Sequence, residues 1–185
     1  MNLLDMVLNA QNGGMVSQLA RNFGLGSDDA KNAVGQLLPS LSRGIQNNIS
    51  KPGGLDALLG ALQKGNHQRY LDNPEMLGSS DTVNDGNNIL GHILGSKDVS
   101  RNVAGHASTR TGIDAGILKK MLPLVATMAM GAISKQAAGS ASMSGLAAGS
   151  GQQSSSLLGG LTSFLDADRD GSVADDLLNL AKKFF

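Results

Sequence analysis

The segment Met121-Leu-Pro-Leu-Val-Ala-Thr-Met128-Ala-Met-Gly-Ala-Ile133 has no polar face. Wound as a helix it is apolar on nearly every side, and such a helix has to be covered all round. It falls short of the roughly 18 apolar residues that suggest a bilayer span. No membrane span is expected, so the cover must be protein. Either the segment is the central helix of the body, or part of it meets a second copy of the chain. Leu118, Met121, Leu122, Val125, Met128 and Ile133 are the residues expected to pack or to assemble.

The remaining pattern is also helical. Apolar residues recur at Leu3, Leu4, Val7 and Leu8, at Leu55, Leu58, Leu59 and Leu62, and at Ile89, Leu90, Ile93 and Leu94, the spacing of one helix face. No run of β-branched residues alternates with period two, so the expected class is all-α. With 185 residues there is room for one ordinary domain and a small appendage. Aromatic residues are 3% of the chain and Met numbers eight, so the core must be aliphatic and adaptable.

Charged residues are 16% and the formal net charge is zero, which leaves little repulsion between copies and favours association. A homo-oligomer is therefore expected. No basic excess points to nucleic acid or to an anionic membrane. The absence of cysteine excludes thiol catalysis, thiolate metal sites and disulfides. The N-terminal MNLLDMVLNAQ carries Asp5 and lacks the basic region of a secretory signal, so a cytoplasmic location is expected.

The body reads as an internal duplication. Leu3-Leu4-x-x-Val7-Leu8 is echoed by Ile89-Leu90-x-x-Ile93-Leu94, the segment ending Gly24-Leu25 by that ending Gly112-Ile113, and Gln36-Leu37-Leu38-Pro39 by Lys120-Met121-Leu122-Pro123. The first copy is about four residues longer between its glycine and its proline, close to one helical turn, so the apolar stripe keeps its phase. In each copy Gly24 or Gly112 suits a left-handed helix end, and Ser27 or Asp114 can cap the next helix. Pro39 and Pro123 are expected to kink or divide a helix. The expected organisation is a duplicated body over 1–136, with pseudo-repeats at about 1–50 and 87–136. Residues 65–88, with turn signals at Asp72-Asn73-Pro74 and Asp85-Gly86, are expected to form a loop or irregular connector. Of the 20 residues from Ala137 to Ser156, 16 are Gly, Ala or Ser, which reads as a flexible linker whose Ala-rich start can also extend the helix before it. A tail over 157–185 follows.

The duplicated Gly and Leu-Leu-Pro pattern, the segment Asp85-Gly-Asn-Asn-Ile-Leu-Gly-His-Ile-Leu-Gly95 and the C-terminal Leu165-Asp-Ala-Asp-Arg-Asp-Gly-Ser172 together resemble the YidB-like family of bacterial proteins, a domain of unknown function. The resemblance covers residues 1 to about 136, plus the tail. It implies a multihelical fold with homeodomain-like helix turns, and no established reaction.

Asp166-Ala-Asp168-Arg-Asp170-Gly171-Ser172 matches the first seven positions of an EF-hand calcium loop, in which alternate oxygens converge on the cation and glycine makes the sharp turn. Residues 157–165 and 175–184 are expected to flank it as short helices. The twelfth position, where a bidentate Glu closes the cage, is Leu177, and Asp176 lies one position early. The expected ligands are Asp166, Asp168, Asp170, Ser172 and Asp176, with calcium as the ion. The bland reading is a solvated turn whose Asp175 and Asp176 favour a helix N-terminus.

Residues 20–38 read as a helix-turn-helix, which can place its second helix in a DNA groove. Here that helix opens on Asp28 and Asp29 and would meet phosphate with the wrong sign, so nucleic acid is not the expected partner. Three scattered histidines, no cysteine and no serine elbow assemble no nucleophile, base and orienting group. The expected function is a non-enzymatic structural or interaction protein that self-associates through its helical body and carries a calcium-binding or docking tail. The competing reading is a regulatory binding module that uses the turns around Gly24 and Gly112.

Overall fold

A computed structural model describes residues 2–64 and 67–144, and among them the fold is all-α, without a strand. The first helix, α1 (Leu3–Asn9), opens with a reciprocal cap, the Asp5 amide donating to Asn2 Oδ1 at 2.8 Å while the Asp5 carboxylate accepts from the Asn2 amide. Three consecutive residues with positive φ, Gln11, Asn12 and Gly13, then turn the chain through a 3₁₀ segment. From there α2 (Gly14–Phe23) runs to Gly24, whose φ of 64° ends the helix in the left-handed conformation. After a two-residue turn comes α3 (Ser27–Ile49), with a buried stripe of Ala30, Ala33, Val34, Leu37, Leu38, Leu41, Ile45 and Ile49. Its other side, with Lys31, Asn32, Arg43 and Asn47, is exposed.

Two helices complete the middle of the chain, α4 (Gly54–Lys64) and the short α5 (Arg69–Asp72). A 3₁₀ turn over Pro74–Gly78 leads to α6 (Ser80–Leu94), capped by the Ser79 hydroxyl on the Thr82 amide at 3.2 Å. Next is α7 (Lys97–Thr111), capped by Ser96 and ended by the left-handed Gly112. It is followed by α8 (Ala115–Ser144), whose first free amides, at Gly116 and Ile117, donate to Asp114 Oδ1 at 2.9 and 3.2 Å.

Every residue from Met121 to Ser134 of α8 is buried. The cover comes from α1, α3, α5, α6 and α7, all of which contact α8. By length and composition Ala115–Ala138 is apolar enough to cross a membrane, but 78% of its most apolar window is buried inside this fold. The side chains that enclose it are mostly aliphatic, and each fully buried Leu or Met adds roughly 1.5–3 kcal/mol of transfer free energy.

Four local expectations are corrected. Residues 65–88 are not an irregular connector, because α5, a 3₁₀ turn and the first half of α6 occupy the described part of that range. Asp85-Gly86 makes no turn. Gly86 sits inside α6 because the backbone carbonyl of Pro123 occupies the place where a Cβ would stand, so its missing side chain serves a helix crossing. Ser27 does not cap α3; the cap position is Gly26 and Ser27 is the first helical residue. Neither proline divides its helix, since Pro39 lies within α3 and Pro123 within α8. The carbonyls that each proline leaves without a donor belong to Gly35, half-buried, and Lys119, exposed, where water can bond them. Beyond Gln136 the helix α8 continues to Ser144, eight residues into the segment read as a linker.

A candidate binding cleft between α3, α4 and α6

A cleft of about 370 Å³ is lined by residues of the C-terminal half of α3, of α4 and of α6. Its walls are apolar, with Ile45 and Ile49 from α3, Leu58 and Ala57 from α4, and Ile89 and Ile93 from α6. Met130 of α8 forms part of the lining. The α6 side follows helical spacing, since Asp85, Asn88 and His92 are three and four residues apart and share a face with Ile89 and Ile93. Asn48 ties α3 to α6 by donating to the His92 carbonyl at 2.6 Å.

Asp85, which lines the cleft, is bonded to two residues outside the lining. The Tyr70 hydroxyl donates a hydrogen bond to the Asp85 carboxylate. Arg69 donates to that carboxylate at 3.2 Å and to the Tyr70 oxygen at 2.8 Å, and its guanidinium lies 4.8 Å from the centre of the Tyr70 ring. Burial, then the hydrogen bond to Asp85, pushes the Tyr70 phenol above its ordinary pKa. Both charged side chains are about two-fifths exposed, so the ion pair alone adds little stability. Its weight lies in leaving the cleft with no unpaired charge from Asp85.

His67 stands beside this group, its ring centre 6.1 Å from that of Tyr70. Burial lowers its pKa, and the backbone carbonyl of Ala61 acts in the opposite direction by bonding the ring. Nδ1 is buried and has no partner. The segment bearing His67, Arg69 and Tyr70 is held against α8 by Gln68, which donates to the Ser134 carbonyl at 3.3 Å, and by the Lys135–Asp72 pair at 3.9 Å. The Gly131 Cα approaches the His67 carbonyl so closely that an added Cβ would lie 2.8 Å from it.

The structure places Leu118, Met121, Leu122, Val125, Met128 and Ile133 together in the core of the single chain, each with 0% of its surface exposed. None of the six is left at the surface to meet a second copy. Asp166, Asp168, Asp170, Ser172 and Asp176 lie outside the described residues, as do 145–156 of the expected linker and the whole tail. Among the described residues no group of three or more His, Asp or Glu is placed to hold a metal.

Sequence reasoning misses the cleft, because Asp85-Gly86 has the form of a turn and His67 is one of three scattered histidines. The signal that could have found it is Ser79 as a cap followed by Val83, Gly86, Ile89, Leu90 and Ile93 at helical spacing. That pattern starts a helix before Asp85 and lines up Asp85, Asn88 and His92.

A family model described as bacterial protein of unknown function (DUF937) matches residues 5–136. No curated protein and no solved structure matches the chain.

Proposed function

The chain belongs to the DUF937 family of bacterial proteins of unknown function, the YidB-like family, and from that premise we propose that it is a non-enzymatic interaction protein which receives the apolar part of another molecule in the cleft between α3, α4 and α6. The observation that carries this reading is the division of labour in the cleft. Its walls are mostly aliphatic, and Asp85, one of the few polar residues that line it, is bonded to Tyr70 and Arg69 behind it. Such an arrangement suits recognition, in which a few fixed polar groups orient an otherwise apolar guest. Methyl-detected NMR of the full chain against a set of small apolar fragments tests it. Shifts concentrated on Ile45, Ile89, Ile93 and Met130 are expected, whereas shifts scattered over the surface would remove the reading.

The finer architecture belongs to the same proposal: two related halves, each a helix, a left-handed glycine and a longer helix with an interior proline, joined by homeodomain-like turns. Gly24 with Pro39 and Gly112 with Pro123 support it, as does the one-turn difference in their spacing. Contact between copies would have to use surfaces other than the buried α8 residues, such as the cleft or the tail. Val99, 41% exposed, is a large apolar side chain at the surface. Light scattering with calcium and with chelator tests association and the calcium-responsive tail together. Mass that rises with concentration and changes with calcium is expected; one constant monomer mass would remove both.

The regulatory reading draws less support. The first turn of α3 presents Asp28, 92% exposed at its side chain and paired with Lys31 at 3.3 Å, which opposes approach to phosphate.

A further inference from the structure

We propose that the cleft is covered by a segment of this same chain, residues 157–165, reaching back from beyond the end of α8, so that an outside guest enters only by displacing it. This inference rests on the reading of the cleft as a binding site and names its regulation. A shared pattern picks out the segment. Two of the helices that line the cleft carry it, as Leu58-Leu59-Gly60-Ala61-Leu62 in α4 and as Ile89-Leu90-Gly91-His92-Ile93 in α6. Its first and fourth positions, Leu58 with Ala61 and Ile89 with His92, line the cleft. Its glycine lies off the packed side, since a Cβ on Gly60 or Gly91 would meet open space. The pattern occurs a third time as Leu157-Leu158-Gly159-Gly160-Leu161.

A set of side chains that already lines this site from two helices has the spacing to pack there from a third, in the manner of a helix laid in an apolar groove. Leu157, Leu161, Phe164 and Leu165 continue one helical face. Gly160, at the position of Ala61 and His92, has no side chain and lets the backbone come close, which suits a cleft of only about 370 Å³. Charge agrees. Residues 157–165 hold no ionisable side chain, so they lose no ionic hydration on entering apolar walls. Asp85 in the lining is already bonded to Tyr70 and Arg69, and Asn48 to the His92 carbonyl. Asn88 and His92 are exposed polar members of the lining, and Thr162 and Ser163 bring hydroxyls that both donate and accept.

Reach agrees as well. Met130 of α8 lines the cleft, and Ser144, at the end of α8, lies about 21 Å further along the helix axis. Residues 145–156 are mostly Gly, Ala and Ser, and a chain of that length and composition has an r.m.s. reach of about 20 Å. A tether whose reach matches its span gives the attached segment an effective concentration of about a millimolar, so a contact with a dissociation constant of about 0.1 mM stays mostly made. The other apolar run of the tail, residues 177–185, starts 20 residues later and brings Lys182 and Lys183, so it is both more dilute at the cleft and costlier to desolvate.

The chain has no cysteine, so Ser163→Cys of the full chain takes a single nitroxide label. The label should cut the methyl NMR signals of Ile45, Leu58, Ile89 and Ile93 by at least about half, and adding Leu157→Asp and Leu161→Asp should restore them. Both of these substitutions lie outside the family-matched residues 5–136, so the body keeps its own core. Without the label, the same pair should let small apolar fragments shift the cleft methyls at about tenfold lower concentration than in the wild type. Broadening that is absent, or that survives the two substitutions, would overturn the proposal, as would equal fragment affinity in the two chains. Broadening of an isotope-labelled copy by a separate spin-labelled copy would give the cleft to a second molecule and overturn it too. In each of these cases fragment shifts on the cleft methyls would spare the cleft as a site, whereas fragments that shift them in neither chain would remove both readings.

Discussion

Two helices of this protein follow a left-handed glycine and carry an interior proline, yet they meet opposite surroundings. α3 buries one stripe and shows water the other, so its sequence divides by spacing into apolar and polar positions. α8 is covered on all sides from Met121 to Ser134, and its sequence shows no such division. The contrast teaches that the turn which starts a helix does not decide where the helix goes. What decides is whether a polar face exists for water to hold.

The sharpest way to break the contrast is a charge. Ala126→Asp in α8, at a site with no exposure, should cost about 4 kcal/mol or more, because a buried carboxylate finds no partner there. Asn32→Asp on the exposed side of α3 should stay within about 0.5 kcal/mol. Chemical denaturation of the two variants measures both, and similar losses would mean that α8 is not enclosed as described. Next in size is Gly86→Ala, whose new methyl would collide with the Pro123 carbonyl. A loss of about 3 kcal/mol, the upper end for overpacking, is expected in the same assay.

Asp85→Asn should cost about 1–2 kcal/mol by weakening the bonds to Tyr70 and Arg69. It has a second readout in alkali. The Tyr70 phenol is raised above its ordinary value of 10.0, first by burial and then by its hydrogen bond to Asp85, so the unfolded chain gives up this proton before the folded one does. The stability it contributes is whole below about pH 10 and is lost as pH rises through the higher folded value. Tyrosinate absorbance of the wild type should titrate late, and that of Asp85→Asn earlier. Coincident curves would dissociate Tyr70 from Asp85.

Acid probes the neighbouring histidine with the opposite sign. Burial lowers His67 below its ordinary 6.5, so its contribution is present above that pH and fades as pH falls through the folded value. Denaturant midpoints across this range should fall more steeply for the wild type than for His67→Phe. The smallest effect is a gain: Gly105→Ala in α7, where a Cβ would meet open space, should stabilise by about 0.5–1 kcal/mol. A loss there would show that α7 is crowded where the structure leaves it open.

The lack of a polar face on residues 121–133 left a core helix or a contact with a second copy as the only covers, and the structure supplies the first; Asp114 was legible as its cap because a cap is written in adjacent residues. The cleft was not legible in the same way. Its residue 85 is bonded by residues 69 and 70, contacts made by tertiary packing that leave no local period. Gly86 misled for a related reason. A glycine after an aspartate has the form of a turn, and only the Pro123 carbonyl pressed against it explains why it lies in mid-helix. Pro39 and Pro123 taught the converse, since a local breaker is overruled when the packing on both sides of it is continuous.

Tyr70 is the only tyrosine in a chain without tryptophan, so near-ultraviolet emission from this protein comes mainly from one phenol, whose hydroxyl donates to a carboxylate. Excited phenols pass protons to such neighbours and go dark. Tyr70 should therefore act as an optical gauge beside the cleft, dim while it holds Asp85 and brighter in a variant that parts the two.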